Sequence, residues 1–190
     1  MPVKINNYVF VLLLMLSACA LNPLEENIDN VGLMPIAQPL EPSRRIVQQI
    51  NAFWSDREES LLAVLELDKQ HIAMAGLSND GLSLFNITYD GKTVLSDKSP
   101  LMPATVKPEF MLADMQLVYW PLTTLQTILP VGWRLETLKN KRFLYINDKK
   151  QMEINYLSPE TDWPKVVELV NFQYHYRLRI KTLNYELIPQ

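Results

Sequence analysis

Hydrophobic positions change period along this chain, and each change marks an expected boundary. After an apolar run over 8–16 and an aperiodic stretch to residue 42, Ser43 stands where a helix cap belongs. Ile46, Val47, Ile50, Phe53 and Trp54 follow at offsets 0, +1, +4, +7 and +8, so the spacing predicts a helix packed on a sheet. From residue 60 the period drops to two, predicting short strands over 60–67, 71–77, 82–89 and 93–96. Their separators are turn residues, Asp68-Lys69-Gln70, Ser78 to Gly81, and Asp90-Gly91, the last a two-residue hairpin signal. Connections this short join antiparallel neighbours, so the first half is expected to be a meander.

The alternation then stops. Pro108 suits the first turn of a helix over 109–119, Pro121 breaks it, and a second helical piece carries Leu122, Leu125, Ile128 and Leu129 before Pro130 and Gly132. This apolar, proline-broken insertion is hard to explain as a simple crossover and is a candidate lid. Strands resume over 133–137, 142–146, 152–157, 166–171 and 174–183, the last alternating Tyr174, Tyr176, Leu178 and Ile180 against His175, Arg177, Arg179 and Lys181. Nine strands with three helical pieces imply a mainly β, α+β domain built on one curved antiparallel sheet.

The amino-terminal run, preceded only by Lys4 among charged residues, is too short to span a bilayer and ends in small residues, as a secretory signal does. Those small residues, Ser17 and Ala18 after Leu16, stop at Cys19, the only cysteine, so no disulfide within the chain is possible. From Ala20 to Pro42 four prolines mix with polar residues and one glycine, a composition expected of an extended tether. The expected divisions are therefore 1–18 signal, 19–42 anchor and tether, and 43–190 folded domain.

Charge and chemistry narrow the function. The formal net charge is −3, and removing residues 1–18 takes away one positive charge, which argues against nucleic acid as partner. Hydrophobic residues make up 48%, an ordinary globular proportion. Only His71 and His175 are present, on separate expected strands, with no Gly-x-Ser-x-Gly elbow and no phosphate-cradling glycine loop. Asp56, Glu58 and Glu59 cluster just after the first expected helix, where carboxylates are ordinarily solvated. The reading is therefore no enzyme, no catalytic residue, no metal site and no dissociable cofactor.

Two resemblances sharpen this. Leu16-Ser17-Ala18-Cys19 resembles the lipobox of bacterial lipoproteins. It implies cleavage before Cys19, a diacylglyceryl group on the thiol and an N-acyl chain, palmitate for example, on the new amino terminus. With Ala20 rather than Asp next, it implies anchoring in the outer membrane, facing the periplasm. The domain resembles the LolA/LolB superfamily of periplasmic lipoprotein carriers and receptors across most of 44–184. The likeness is carried by 110–132 with Tyr119-Trp120-Pro121-Leu122, by 151–156 with Trp163-Pro164-Lys165 and 166–171, and by 174–182. Trp120-Pro121 and Pro130-Val131-Gly132-Trp133 are similar to motifs of LolB-like outer-membrane lipoproteins encoded in aryl polyene gene clusters.

That resemblance implies an incomplete antiparallel barrel, a half-barrel covered by helices, with an apolar cavity for acyl chains. Phe110, Leu117, Trp120, Leu125, Ile128 and Leu129 would roof that cavity, although helical apolar stripes more often complete a core, and the two readings stand open. Leu77, in the loop 76–81, takes the place of the exposed leucine that assists membrane transfer in LolB, and the loop here is shorter and more polar. The expected partners are the bilayer, a hydrophobic or acylated ligand (a lipid, a lipoprotein acyl chain or an aryl polyene lipid) and a periplasmic carrier protein. Delivery of that ligand to the outer membrane is the expected role, and a membrane-tethered scaffold docking periplasmic proteins is the alternative.

Overall fold

The computed structural model describes residues 38, 40–103, 106–158 and 163–189. The expected signal, Cys19 and most of the tether lie outside these residues. Ten antiparallel strands form one sheet in two meanders: β1 (Arg44–Trp54), β2 (Arg57–Leu67), β3 (Ile72–Ser78), β4 (Ser83–Tyr89) and β5 (Val94–Lys98), then β6 (Trp133–Leu138), β7 (Lys141–Ile146), β8 (Lys149–Tyr156), β9 (Val166–Asn171) and β10 (Tyr176–Leu187). The spatial order is β5-β4-β3-β2-β1-β10-β9-β8-β7-β6, so β5 and β6 are free edges and the barrel is not closed. Between them lie α1 (Pro108–Tyr119) and α2 (Leu122–Gln126).

One expected element is wrong. Residues 44–54 form a strand, not a helix, paired along its length with both β2 and β10. Ile46 and Ile50 are four apart, a spacing shared by a helical stripe and by one face of a strand. The residue between them on that face is Gln48, fully buried, and its polar side chain hid the alternation from the sequence. Asp90-Gly91 is likewise not a two-residue hairpin. The β4–β5 connection takes four residues, with the Asp90 carboxylate accepting from the amides of Lys92 (2.9 Å) and Thr93 (2.7 Å). By contrast, Asn147 and Asp148 both have positive φ, as the tight two-residue turn between β7 and β8 requires.

The sheet has to curl. Neighbouring strands lie about 4.8 Å apart, so β5 and β7, eight spacings apart, would stand roughly 38 Å from each other in a flat sheet. Yet α1, a rod about 10–12 Å wide and about 18 Å long, contacts β5 and also hydrogen-bonds to β1, β7, β8 and β10. Only a sheet rolled around the helix allows this, and α2 reaches β6 at the other edge. The chain between β5 and β6 is thus the crossover between two free edges, and α1 and α2 carry it through the concave face. Along β10 the expected alternation holds from Tyr176 to Lys181, with a register shift against β1 at Leu183 that turns Tyr185 inward.

Gly76 shows how closely the concave layer packs. It faces Phe85 across β3 and β4, and a Cβ there would sit 2.1 Å from that buried ring. Gly76→Ala is expected to destabilise the domain by about 1–3 kcal/mol, measured as a lower urea midpoint with an unchanged slope.

Candidate functional site

The site is the seat of the α1–α2 segment inside the half-barrel. Pro108 occupies the first turn of α1, where no amide is needed, and Glu109 lies at the positive end of the helix dipole. Pro121 ends the helix by forcing Trp120 into an extended conformation (φ −73°, ψ 149°). Leu112, Ala113, Met115, Gln116, Leu117 and Val118 are all buried, so α1 is an interior helix rather than a surface one.

Of the residues expected to line a cavity, Leu117, Trp120 and Leu125 are fully buried and belong to the core. Ile128 and Leu129 pack partly buried against it. Phe110 is half-buried at the other end of the helix, its ring 5.2 Å from that of Tyr174. The segment therefore fills the concave face with its own side chains. Leu77 is a half-buried residue of β3, and the exposed leucine of that hairpin is Leu82, at 54%.

What sequence reasoning missed is the set of polar side chains that hold the segment. The carboxyl end of α1 has no basic residue of its own, and β7 supplies one. Arg142 Nη1 donates to the carbonyls of Leu117 (2.6 Å) and Trp120 (2.9 Å), and the Tyr156 hydroxyl on β8 donates to that of Val118 (2.6 Å). A guanidinium there offsets the negative end of the helix dipole. Burial nonetheless lowers the Arg142 pKa, and the same burial raises that of Tyr156.

Gln48 Nε2 donates to the Tyr119 hydroxyl (2.7 Å), and Trp120 Nε1 donates to the carbonyl of Gln38 (2.7 Å). Near the middle of α1, the Tyr176 hydroxyl donates to Asp114 Oδ2 and accepts from Asn171 Nδ2. A signal for Asp114 was available. It is the only acid after the first turn of an otherwise apolar helix.

Two clefts open at the end of the half-barrel where β1 begins. One, of about 400 Å³, lies beside the carboxyl end of α1 and includes Arg44, Tyr119, Arg142, Tyr156 and Trp163. There Trp163 stacks on Tyr119, with centroids 4.1 Å apart, and on Tyr185 at 5.6 Å. The other, of about 300 Å³, includes Glu66, Asp68 and His71. His71 is well exposed and 3.8 Å from Asp68, whose carboxylate is occupied by the amides of Gln70 and His71 in the β2–β3 turn. No cluster of three or more metal-ligating side chains occurs among the described residues.

An open antiparallel half-barrel, closed over by the helical crossover between its own edges, is the class this geometry defines. The chain belongs to the family described as "Protein of unknown function (DUF3261)", which matches residues 45–184, from the second residue of β1 into β10. No curated protein matches it. Among solved structures it is similar to a domain from Vibrio parahaemolyticus provisionally described as an outer membrane lipoprotein-sorting protein domain. The TM-score is 0.42 at 9% identity, over 76% of this chain and 85% of that one. A likeness at that level is one of outline, and no ligand or activity follows from it.

The Asp114 carboxyl is half-buried by area but crowded by protein atoms, and desolvation pushes its pKa up to about 7, against the opposing pull of the Tyr176 hydroxyl. A carboxyl that binds its proton more tightly when folded lowers stability as pH rises from about 4 to about 7. The loss amounts to up to about 4 kcal/mol, less whatever solvent reaches the group. Asp114→Asn should abolish that slope and be the more stable form at pH 8. Urea midpoints at pH 5 and pH 8 for both proteins check this.

Proposed function

We propose that this chain is an outer-membrane-anchored lipoprotein, facing the periplasm, whose half-barrel binds a hydrophobic or acylated ligand and aids its transfer to the outer membrane. The observation that carries the reading is the seating of α1 and α2. They are a crossover rather than strands, so they can leave the concave face without breaking a ladder of the sheet. Their polar attachments are a few hydrogen bonds, each contributing about 0.5–1.5 kcal/mol, or about 1.5–3 for those from Arg142. Displacing the segment uncovers the inner apolar faces of β1 to β10, a surface for an acyl chain at about 25 cal/mol per Å². In this reading Leu117, Trp120 and Leu125 are the side chains a ligand replaces, and Phe110, Ile128 and Leu129 border the opening.

The resemblance to LolA/LolB proteins supports the same role, and the likeness to lipoproteins of aryl polyene clusters makes an aryl polyene lipid one candidate cargo. On the β3–β4 hairpin, Leu82 is better exposed than Leu77 for entering a bilayer. Anchoring rests on Cys19. Intact mass of the membrane-extracted chain should show loss of residues 1–18 and the added mass of a diacylglyceryl group and an acyl chain, and Cys19→Ser should lack both.

A second reading is favoured by a specific observation. The interior is already filled by Leu112, Leu117, Trp120 and Leu125, as a scaffold docking periplasmic proteins would have it. Native mass spectrometry with lipid extraction, on residues 20–190 exported to the periplasm without the anchor, separates the two. Retained lipid, lost in Trp120→Asp or Leu125→Asp with the circular dichroism unchanged, is expected of the carrier. A folded chain that stays empty when offered periplasmic lipids would sink it in favour of the scaffold.

A further inference from the structure

We infer that the cleft at the carboxyl end of α1 binds an anionic end-group, a carboxylate or a phosphate, of an amphiphile whose apolar part lies along the neighbouring aromatic and proline side chains. The inference deepens the proposed function and rests on it for the ligand's apolar half. Its own ground is two cations, one buried and one half-buried, lining one cleft. Arg44 is 7% exposed at the start of β1 and Arg142 stands near the start of β7, and both line the same space of about 400 Å³.

Neither guanidinium has an ion-pair partner among the described residues. Arg44 donates Nε to the Pro42 carbonyl at 2.8 Å, Arg142 gives Nη1 to two carbonyls of α1, and Arg142 Nε is buried without a partner. Each guanidinium carries five N–H donors, so donors are left over on both.

A cleft with low-dielectric walls concentrates the field of the cations lining it on whatever enters. An anion is drawn by that field, and a planar fork suits the two oxygens of a carboxylate or phosphate. Arg44 is already fixed, with its Cζ 5.5 Å from the centre of the Trp163 ring. The wall beside it is Trp163 stacked on Tyr119, continued by Pro121 and Pro164. The cleft is thus charged at one side and flat and apolar at the other. Its one described carboxylate is Glu41, exposed and more than 4 Å from either guanidinium.

The test uses the full chain in a non-ionic detergent, following the arginine Nε–H signals by 1H–15N NMR against octyl phosphate, octanoate, octanol and inorganic phosphate. Octyl phosphate or octanoate should shift both Arg44 and Arg142 and bind at least about tenfold more tightly than octanol. The tighter of the two tells a phosphate headgroup from a fatty-acid carboxylate. Arg44→Gln should erase the preference, so that anions and octanol bind alike, Arg142→Lys should weaken it, and Glu41→Gln should strengthen it.

Equal binding of octanol and the anions, or a preference that survives Arg44→Gln, would overturn the inference. So would inorganic phosphate binding as tightly as octyl phosphate, because the apolar half would then be idle. Lipid retained without any charge preference leaves the carrier standing and this inference fallen, and charge preference without retained lipid does the reverse.

Discussion

The pairing of β1 with β10 is the constraint on which the rest depends. Each five-strand meander is local and folds onto its sequence neighbours, whereas Arg44 meets Leu187 and Trp54 meets Tyr176, across most of the domain. That contact bears a loop-closure cost which the short hairpins do not. It also decides the architecture. With the two ends of the domain joined at the centre of the sheet, the two middle strands, β5 and β6, are pushed to opposite edges. The chain between them then has to cross the whole open face, and an apolar crossover does so through the interior.

A helix held in a greasy trough by burial alone could slide or rotate. Here Gln48, Tyr176, Arg142 and Tyr156 reach from the sheet to fixed points along α1, and hydrogen bonds in a low-dielectric interior are directional as well as strong. The polar residues therefore set position while the apolar ones supply most of the free energy. The same division makes the segment releasable, because the directional bonds are few and most of them end on its second half.

Much of this was legible in the residues. The meanders, the antiparallel sheet, both pieces of the broken helix and the inward face of β10 follow from period and turn chemistry. The failure at 44–54 has one cause, a polar Gln48 on a buried face. It is buried there because a hydroxyl on α1, 71 residues away, gives it a partner, and no local pattern encodes that. Arg142 was invisible for the same kind of reason. An arginine just after a polar turn looks like surface, and only the seating of the helix end makes it a cap. Asp114 was the exception, an acid out of place in an apolar helix and so a visible anomaly without a visible partner.

Gln38 has a consequence for force. Its carbonyl accepts from the indole of Trp120, while its own amide donates to the carbonyl of Gly91 at 2.9 Å. The first described residue of the chain is thus clasped to both the buried crossover and the β4–β5 turn. Tension in the chain upstream would arrive at that clasp before reaching any strand of the sheet, and it would be borne by two hydrogen bonds. The domain would yield first at Trp120, with the ten-strand ladder still unloaded.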